Sequence, residues 1–136
     1  MAPLTPVALR SAIAAMAVSD TVAYRNAPVL VQRAFANVAA ASTDAALVAA
    51  VAGKKLLVLV FRVHAGGTAT AVTFNSKGAG AGVAISETFD CNSRGGRADG
   101  FSPIGHFVTA TGEGLSVTTG AGSTVGIGVA YLAVDP

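Results

Sequence analysis

Two histidines, His64 and His106, and a single cysteine, Cys91, are the side chains of this sequence best able to serve as base and nucleophile. A thiol–imidazole pair works because the ring takes the thiol proton and leaves a reactive thiolate. No short spacing joins these three, and His64 beside Gly66-Gly67 reads as a solvated or turn-bonded ring. The carboxylates Glu87, Asp90, Asp99 and Glu113 would suit glycoside hydrolysis or a calcium ion if they were paired. The Asp-x-Asp-x-Asp-Gly ligand order is missing, and Asp90 with Asp99 is the nearest approach to it. Gly78-Ala79-Gly80-Ala81-Gly82 looks like a phosphate-cradling loop. Such loops aim the amides of a following helix at the anion, whereas here a strand pattern follows and no Lys-Ser/Thr pair closes the motif. A flexible hairpin tip is the reading that fits. One cysteine allows neither an internal disulfide nor a multi-cysteine metal site, so Cys91 is a buried small hydrophobe or an intermolecular bridge. The expectation is a protein that is not an enzyme and carries no cofactor and no metal.

Charge narrows the partners. Nine Lys/Arg oppose seven Asp/Glu, scattered along 136 residues. Nucleic-acid binding needs a clustered basic face, and Arg94-Gly95-Gly96-Arg97, without interleaved aromatics, is the nearest approach. No nucleic-acid partner is expected. Apolar residues make up 52% of the chain and charged ones 12%, against roughly 25% charged in ordinary soluble domains. A surface so poor in charge predicts a protein packed against copies of itself or a partner. Arg10 interrupts the apolar run behind Met1-Ala2-Pro3-Leu4-Thr5-Pro6, so no secretory signal is read there. No segment reaches membrane-spanning length without charge or glycine, which predicts a soluble chain with no membrane partner.

The elements that must position these residues read as β almost throughout, in one domain. Residues 1–27 form a separate arm or short helix, with Leu9, Ile13 and Met16 on one helical face and Asn26-Ala27-Pro28 as its end. A sandwich domain over 28–136 follows. Its best-defined strand, 54–64, carries seven consecutive apolar residues from Leu56 and reads as buried on both faces. With 68–74, across Gly66-Gly67, it predicts a buried hairpin. In that strand Arg62 shares a face with Leu56, Val58 and Val60, so it must end at a rim or meet a carboxylate from a neighbouring chain. Val29 to Val38 alternates, Ser42-Thr43-Asp44 is a turn signal, and 45–51 is a short strand or helical turn. Val83 to Asp90 alternates, 92–100 reads as loop, and 105–111 with 115–119 predicts a tight hairpin over Gly112-Glu113-Gly114. In the last strand, 124–134, Val125, Ile127, Val129 and Tyr131 fall on one face and Gly126, Gly128 and Ala130 on the other. A glycine-lined face admits another backbone closely, which marks a sheet or subunit contact. Seven or eight short strands at such intervals predict an antiparallel β-sandwich or jelly roll.

The order of motifs is also similar to a known family. Val31-Gln32-Arg33-Ala34-Phe35-Ala36-Asn37, then Val48-Ala49-Ala50-Val51-Ala52-Gly53-Lys54-Lys55, then Thr70-Ala71-Val72-Thr73-Phe74 resembles a family of small tailed-bacteriophage virion proteins. Phe101-Ser102-Pro103-Ile104-Gly105-His106-Phe107, Gly112-Glu113-Gly114 and Val125-Gly126-Ile127-Gly128-Val129 extend the resemblance over residues 29–134. His106 departs from it, standing where tryptophan is commoner in the family. The resemblance implies a structural virion protein, most simply a capsid decoration or cement protein on the capsid surface. Its partners would be the major capsid protein and itself, as a homotrimer, with Leu9, Ile13, Met16, Arg62, Gly126 and Gly128 as assembly contacts. The alternative it implies is a receptor- or carbohydrate-binding module of a head spike or tail fibre.

Overall fold

The computed structural model describes residues 21–136, all of them strand, turn or loop. Four antiparallel strands build the first main sheet: β3 (Gln32–Val38), β5 (Lys55–Ala65), β12 (Val125–Val134), and an outer position shared end to end by β9 (Gly96–Asp99) and β10 (Phe107–Val108). The second sheet pairs β4 (Ala45–Val48), β11 (Gly114–Thr119), β6 (Thr70–Lys77), and an outer position shared by β7 (Val83–Ala84) and β8 (Phe89–Cys91). With each shared position taken as one strand, the sheets run first–eighth–third–sixth and second–seventh–fourth–fifth in chain order. That is the jelly-roll connectivity, in which most connections cross from one sheet to the other. The β-sandwich expected from the strand pattern is present.

The crossing connections correct two expected hairpins. The strands on either side of Gly66-Gly67 do not pair, because β5 lies in the first sheet and β6 in the second. Gly66 turns that corner against its neighbour, donating its N–H to the Thr124 carbonyl at 3.1 Å. Likewise β10 pairs with β5 and β11 with β4 and β6, so Gly112-Glu113-Gly114 leads between sheets. Val83 to Asp90 is not one strand, since Ser86 Oγ accepts the Phe74 N–H at 2.9 Å and replaces a strand partner. The stretch 92–100, read as loop, contains β9.

Between the sheets lies a core of alternating Val, Leu and Phe. From the first sheet come Leu56, Val58, Phe61, Val63 and the odd residues Val125 to Tyr131 of β12; from the second come Val72, Phe74, Leu115 and Val117. Phe61 sits among aromatic rings, with centroids 5.7 Å from Phe74, 5.2 Å from Phe89 and 5.3 Å from Phe107. Rings at such separations, tilted or edge-on, add about 0.5–1.5 kcal/mol per pair beyond area burial.

Strand β5 changes parity partway along. Against β12, Tyr131 faces Val58 while the adjacent Ala130 faces Val60, so Leu59 is an extra residue, a β-bulge. Before it Leu56 and Val58 point into the core; after it Phe61, Val63 and Ala65 do. Arg62 therefore does not share a face with Leu56 and Val58. It stands on the outer face with Leu57, Leu59 and Val60, and only the Val60 part of the expectation holds. Burial on both faces is correspondingly a property of the first half of β5 alone.

A small third layer covers that half. β1 (Thr21–Tyr24) and β2 (Ala27–Leu30) form a hairpin whose turn residues Arg25 and Asn26 have φ of 49° and 64°. Val22, Tyr24, Val29 and Val31 pack over Leu57, Leu59, Leu132 and Val134 on the outer face. The boundary expected at Pro28 falls inside this hairpin, which is paired across it, Pro28 opposite Ala23. At the other end of the chain Lys54 Nζ bonds Asp135 Oδ1 at 2.5 Å, and that bond, with the charge behind it, lowers the Asp135 carboxyl pKa.

The outer face of the second sheet is closed by polar contacts. Asp44, at φ 51°, reaches over it. Its Oδ1 accepts from Asn75 Nδ2 at 3.0 Å and its Oδ2 from the Gly82 N–H at 2.8 Å, while its own N–H donates to Thr118 Oγ1 at 3.2 Å. Asn75 is 5% exposed, and its second amide bond goes to Thr118 Oγ1 at 2.7 Å. The turn expected at Ser42-Thr43-Asp44 thus pins the glycine loop, and a Cβ at Gly82 would lie 2.1 Å from Asp44 Oδ1.

Candidate functional site: an outer sheet face

The chemistry-bearing side chains do not converge. Cys91 lies in the core at 4% exposure, its thiol pKa raised by burial and by the charge of Asp90. His64 stands on the other side of the first sheet, beside Gly126 in the β12 register. His106 closes the loop after β9, its Nε2 2.7 Å from the Gly100 carbonyl and its ring edge-on to Phe61 at 5.1 Å. The position read as a departure from the family thus still makes an aromatic contact. Glu87 and Asp99 are both held by Arg97, at 3.2 and 3.0 Å, and Glu113 Oε2 accepts from Ser76 Oγ at 2.5 Å. Among the described residues no three His, Cys, Asp or Glu side chains gather as a metal set.

Burial makes Cys91 a testable marker of the core. In native buffer it should react with a thiol reagent roughly a hundredfold or more slowly than a free thiol, since burial both blocks access and disfavours the thiolate. Labelling followed by mass spectrometry checks this; rapid stoichiometric modification without unfolding would contradict it.

What does converge is a surface. Beyond the hairpin the outer face of the first sheet is open, with β12 as its floor: Gly126 lies between Asn37 and His64, and Gly128 between Phe35 and Arg62. The glycines make a trough, and the Arg62 side chain lies across one of them, its Nε 3.0 Å from where a Gly128 Cβ would be. Two hollows of about 550 and 400 Å³, both lined by Phe35 and Arg62, flank these side chains. Phe35 stands up beside them at 85% exposure.

The loop from β9 to β10 exposes Phe101 and Ile104, the latter 86% exposed, and β10 exposes Val108. This loop is tied to β5 by the Ser102 N–H on the Leu59 carbonyl at 3.0 Å and the His106 N–H on the Val58 carbonyl at 2.8 Å. Its turn needs glycine at 105, where φ is +80° and a Cβ would come 2.3 Å from Leu57 Cδ1. Leu30, Phe35, Phe101, Ile104 and Val108 are five of the seven large apolar side chains exposed among the described residues.

Of the residues expected as assembly contacts, the structure brings Arg62, Gly126 and Gly128 together in the trough. Leu9, Ile13 and Met16 lie outside the described residues. Phe35, Phe101 and Ile104 were not singled out. Phe35 alternates with Arg33 and Asn37, which is a face signal, but nothing in the pattern says which face water sees. Comparison of the chain with protein-family models, with curated proteins and with solved structures found no match.

Proposed function

We propose that this chain is a structural protein of a tailed-bacteriophage virion, a capsid decoration protein that seats on the capsid surface through the outer face of its first sheet. The observation that carries the reading is the set of exposed large apolar side chains around the first sheet, Phe35, Phe101, Ile104 and Val108, on a jelly roll whose opposite outer face is closed by polar bonds. Large apolar side chains left exposed in this number favour a protein partner. The motif resemblance over residues 29–134 supplies the setting. The partners are the major capsid protein and further copies of this chain, as a homotrimer, with Leu9, Ile13 and Met16 as contacts from the preceding arm.

The action would be mechanical. Each copy buries apolar surface across a junction between capsid subunits, at about 25 cal/mol per Å² less the ordering cost of docking. Repetition over a lattice sums these modest terms against the pressure of packaged DNA. Shells with and without the protein, heated side by side, test this: bound protein should raise the temperature of shell rupture, and equal rupture would refute cementing. Phe35→Asp should release the protein from shells, with about a tenfold to hundredfold weaker binding, while leaving its own melting within about 1 °C, because an exposed side chain contributes to docking and not to folding.

One observation favours a second reading. A fully presented aromatic ring beside Arg62, Asn37 and His64 is also a platform for a sugar ring, as in a receptor-binding module. Specific signals on a glycan array, lost in Phe35→Ala, would replace the cementing reading.

A further inference from the structure

Every described carboxylate of the chain stands away from the trough or is already engaged. Asp44 bonds Asn75 and the Gly82 amide, Glu113 bonds Ser76, and Asp135 is paired with Lys54. Asp90 lies on the second sheet, in β8 opposite Ala71. Asp99 reaches the edge of one hollow, but Arg97 holds it at 3.0 Å and holds Glu87 at 3.2 Å. Arg62 is exposed in the trough and has no ion-pair partner among the described residues.

The trough has two levels. At one, Phe35, Gly128 and Arg62 lie side by side across β3, β12 and β5; at the next, Asn37, Gly126 and His64 do. The glycines leave the floor without side chains, and a floor of this kind admits another backbone closely. The walls on β3 and β5 stand roughly 10 Å apart, two strand spacings, and residues two apart in an extended chain, about 7 Å, match the two levels. The Arg62 chain lies down over Gly128, with Cγ 3.4 Å and Nε 3.0 Å from where a Cβ there would be. Part of its guanidinium therefore rests on the floor, where a side chain carried by such a segment arrives. Phe35, 85% exposed, offers a ring from the opposite wall. An aromatic ring and an arginine are the side chains that most often carry the energy of an interface.

Charge then chooses the occupant. A second copy offering the same face would set Arg62 against Arg62, which opposes the contact. A neutral sugar stacked on Phe35 would leave the guanidinium without a counter-charge. A partner segment that brings its own carboxylate satisfies Arg62, and its backbone uses the glycine floor.

We propose that the trough over Gly126 and Gly128 seats an extended acidic segment of the capsid partner, with an aspartate or glutamate of that segment paired to Arg62 and the residue two positions along lying between Asn37 and His64. This rests on the reading that the chain seats on a capsid through this face, and it adds what the capsid presents there: negative charge on a backbone that lies flat. A bidentate arginine–carboxylate pair fixes direction as well as affinity, so Arg62 orients each copy on the lattice.

Shells stripped of the protein, titrated with the full-length wild type and variants at low and high salt, test this. Arg62→Gln should bind about tenfold or more weakly at low salt, the loss of one charge-assisted pair. It should also lose most of the wild-type salt response, since the attraction that salt screens is gone. Arg62→Lys should keep that response and recover only part of the affinity, because a point charge lacks the planar fork. Both variants should melt within about 1 °C of wild type, because Arg62 is exposed. Wild type that does not bind shells would remove the seating reading and this proposal with it. Wild type that binds and is released by Phe35→Asp, while Arg62→Gln binds as tightly and with an unchanged salt response, would leave the seating reading standing and overturn the acidic segment. Sedimentation of the free protein covers the remaining occupant: if Arg62→Gln dissociates its oligomers, the trough belongs to a second copy and the proposal falls.

Discussion

Phe61→Ala should lower the free energy of unfolding by about 3–5 kcal/mol, the range for removing a large aromatic from a packed core. Phe61 is 2% exposed and is the first residue after the bulge to point inward. Its ring touches Phe74, Phe89 and Phe107, which come from three other strands, and it carries the edge of His106. Truncation leaves a void among stiff rings that cannot collapse into it. Phe61→Leu, which keeps most of the volume, should cost no more than about 1–2 kcal/mol. Urea denaturation of the two variants checks the pair. Equal losses would mean that the ring contacts, and not the filled volume, carry the stabilisation.

The second large effect is expected on the polar side. Asp44→Ala should destabilise by about 3 kcal/mol, since hydrogen bonds to a charged group contribute about 1.5–3 kcal/mol and the buried Asn75 amide loses one of its two acceptors. That is roughly 10 °C in the melting temperature of a domain this size. The carboxylate accepts from Asn75 and from the Gly82 amide, so its loss frees the glycine loop and leaves one N–H of a buried amide unpaired. Alanine also fits poorly at φ 51°, whereas Asp44→Asn keeps the left-handed preference and one acceptor. The asparagine variant should lose about half as much, and thermal melts of the two separate the contribution of charge from that of backbone.

Such effects show where the chain was legible and where it was not. The inward run Val125, Ile127, Val129 and Tyr131 followed from strict alternation, and the core contains all four. The partition of β5 did not, because a bulge moves one residue out of register and neither glycine nor proline marks Leu59. The β9 strand was hidden for another reason: Gly96-Arg97-Ala98-Asp99 has no β-branched or aromatic residue, and it pairs only because the edge of β5 is free to receive it. Its glycine was the available clue, since a Cβ at 96 would sit 2.0 Å from the Val63 carbonyl oxygen. Hairpins and crossing corners carry the same glycine-rich turn chemistry. Gly66-Gly67 alone does not say whether the next strand returns to its own sheet. The trough was half legible, its glycine floor from sequence and its aromatic wall only from the fold.

The interrupted outer strands have a consequence for self-association of a harmful kind. A long, unbroken sheet edge is a template on which further chains add without limit, and proteins resist this by keeping edges short or broken. Here β4 is four residues, and the outer positions beyond β5 and β6 are each split into two short pieces. Among the described residues only β3 runs seven residues unbroken along an edge, with Gln32, Arg33 and Asn37 as its polar guards and Phe35 unguarded among them. Ordered fibres of this protein, formed at high concentration, would grow by strand addition to β3, and a proline placed in that strand would stop them.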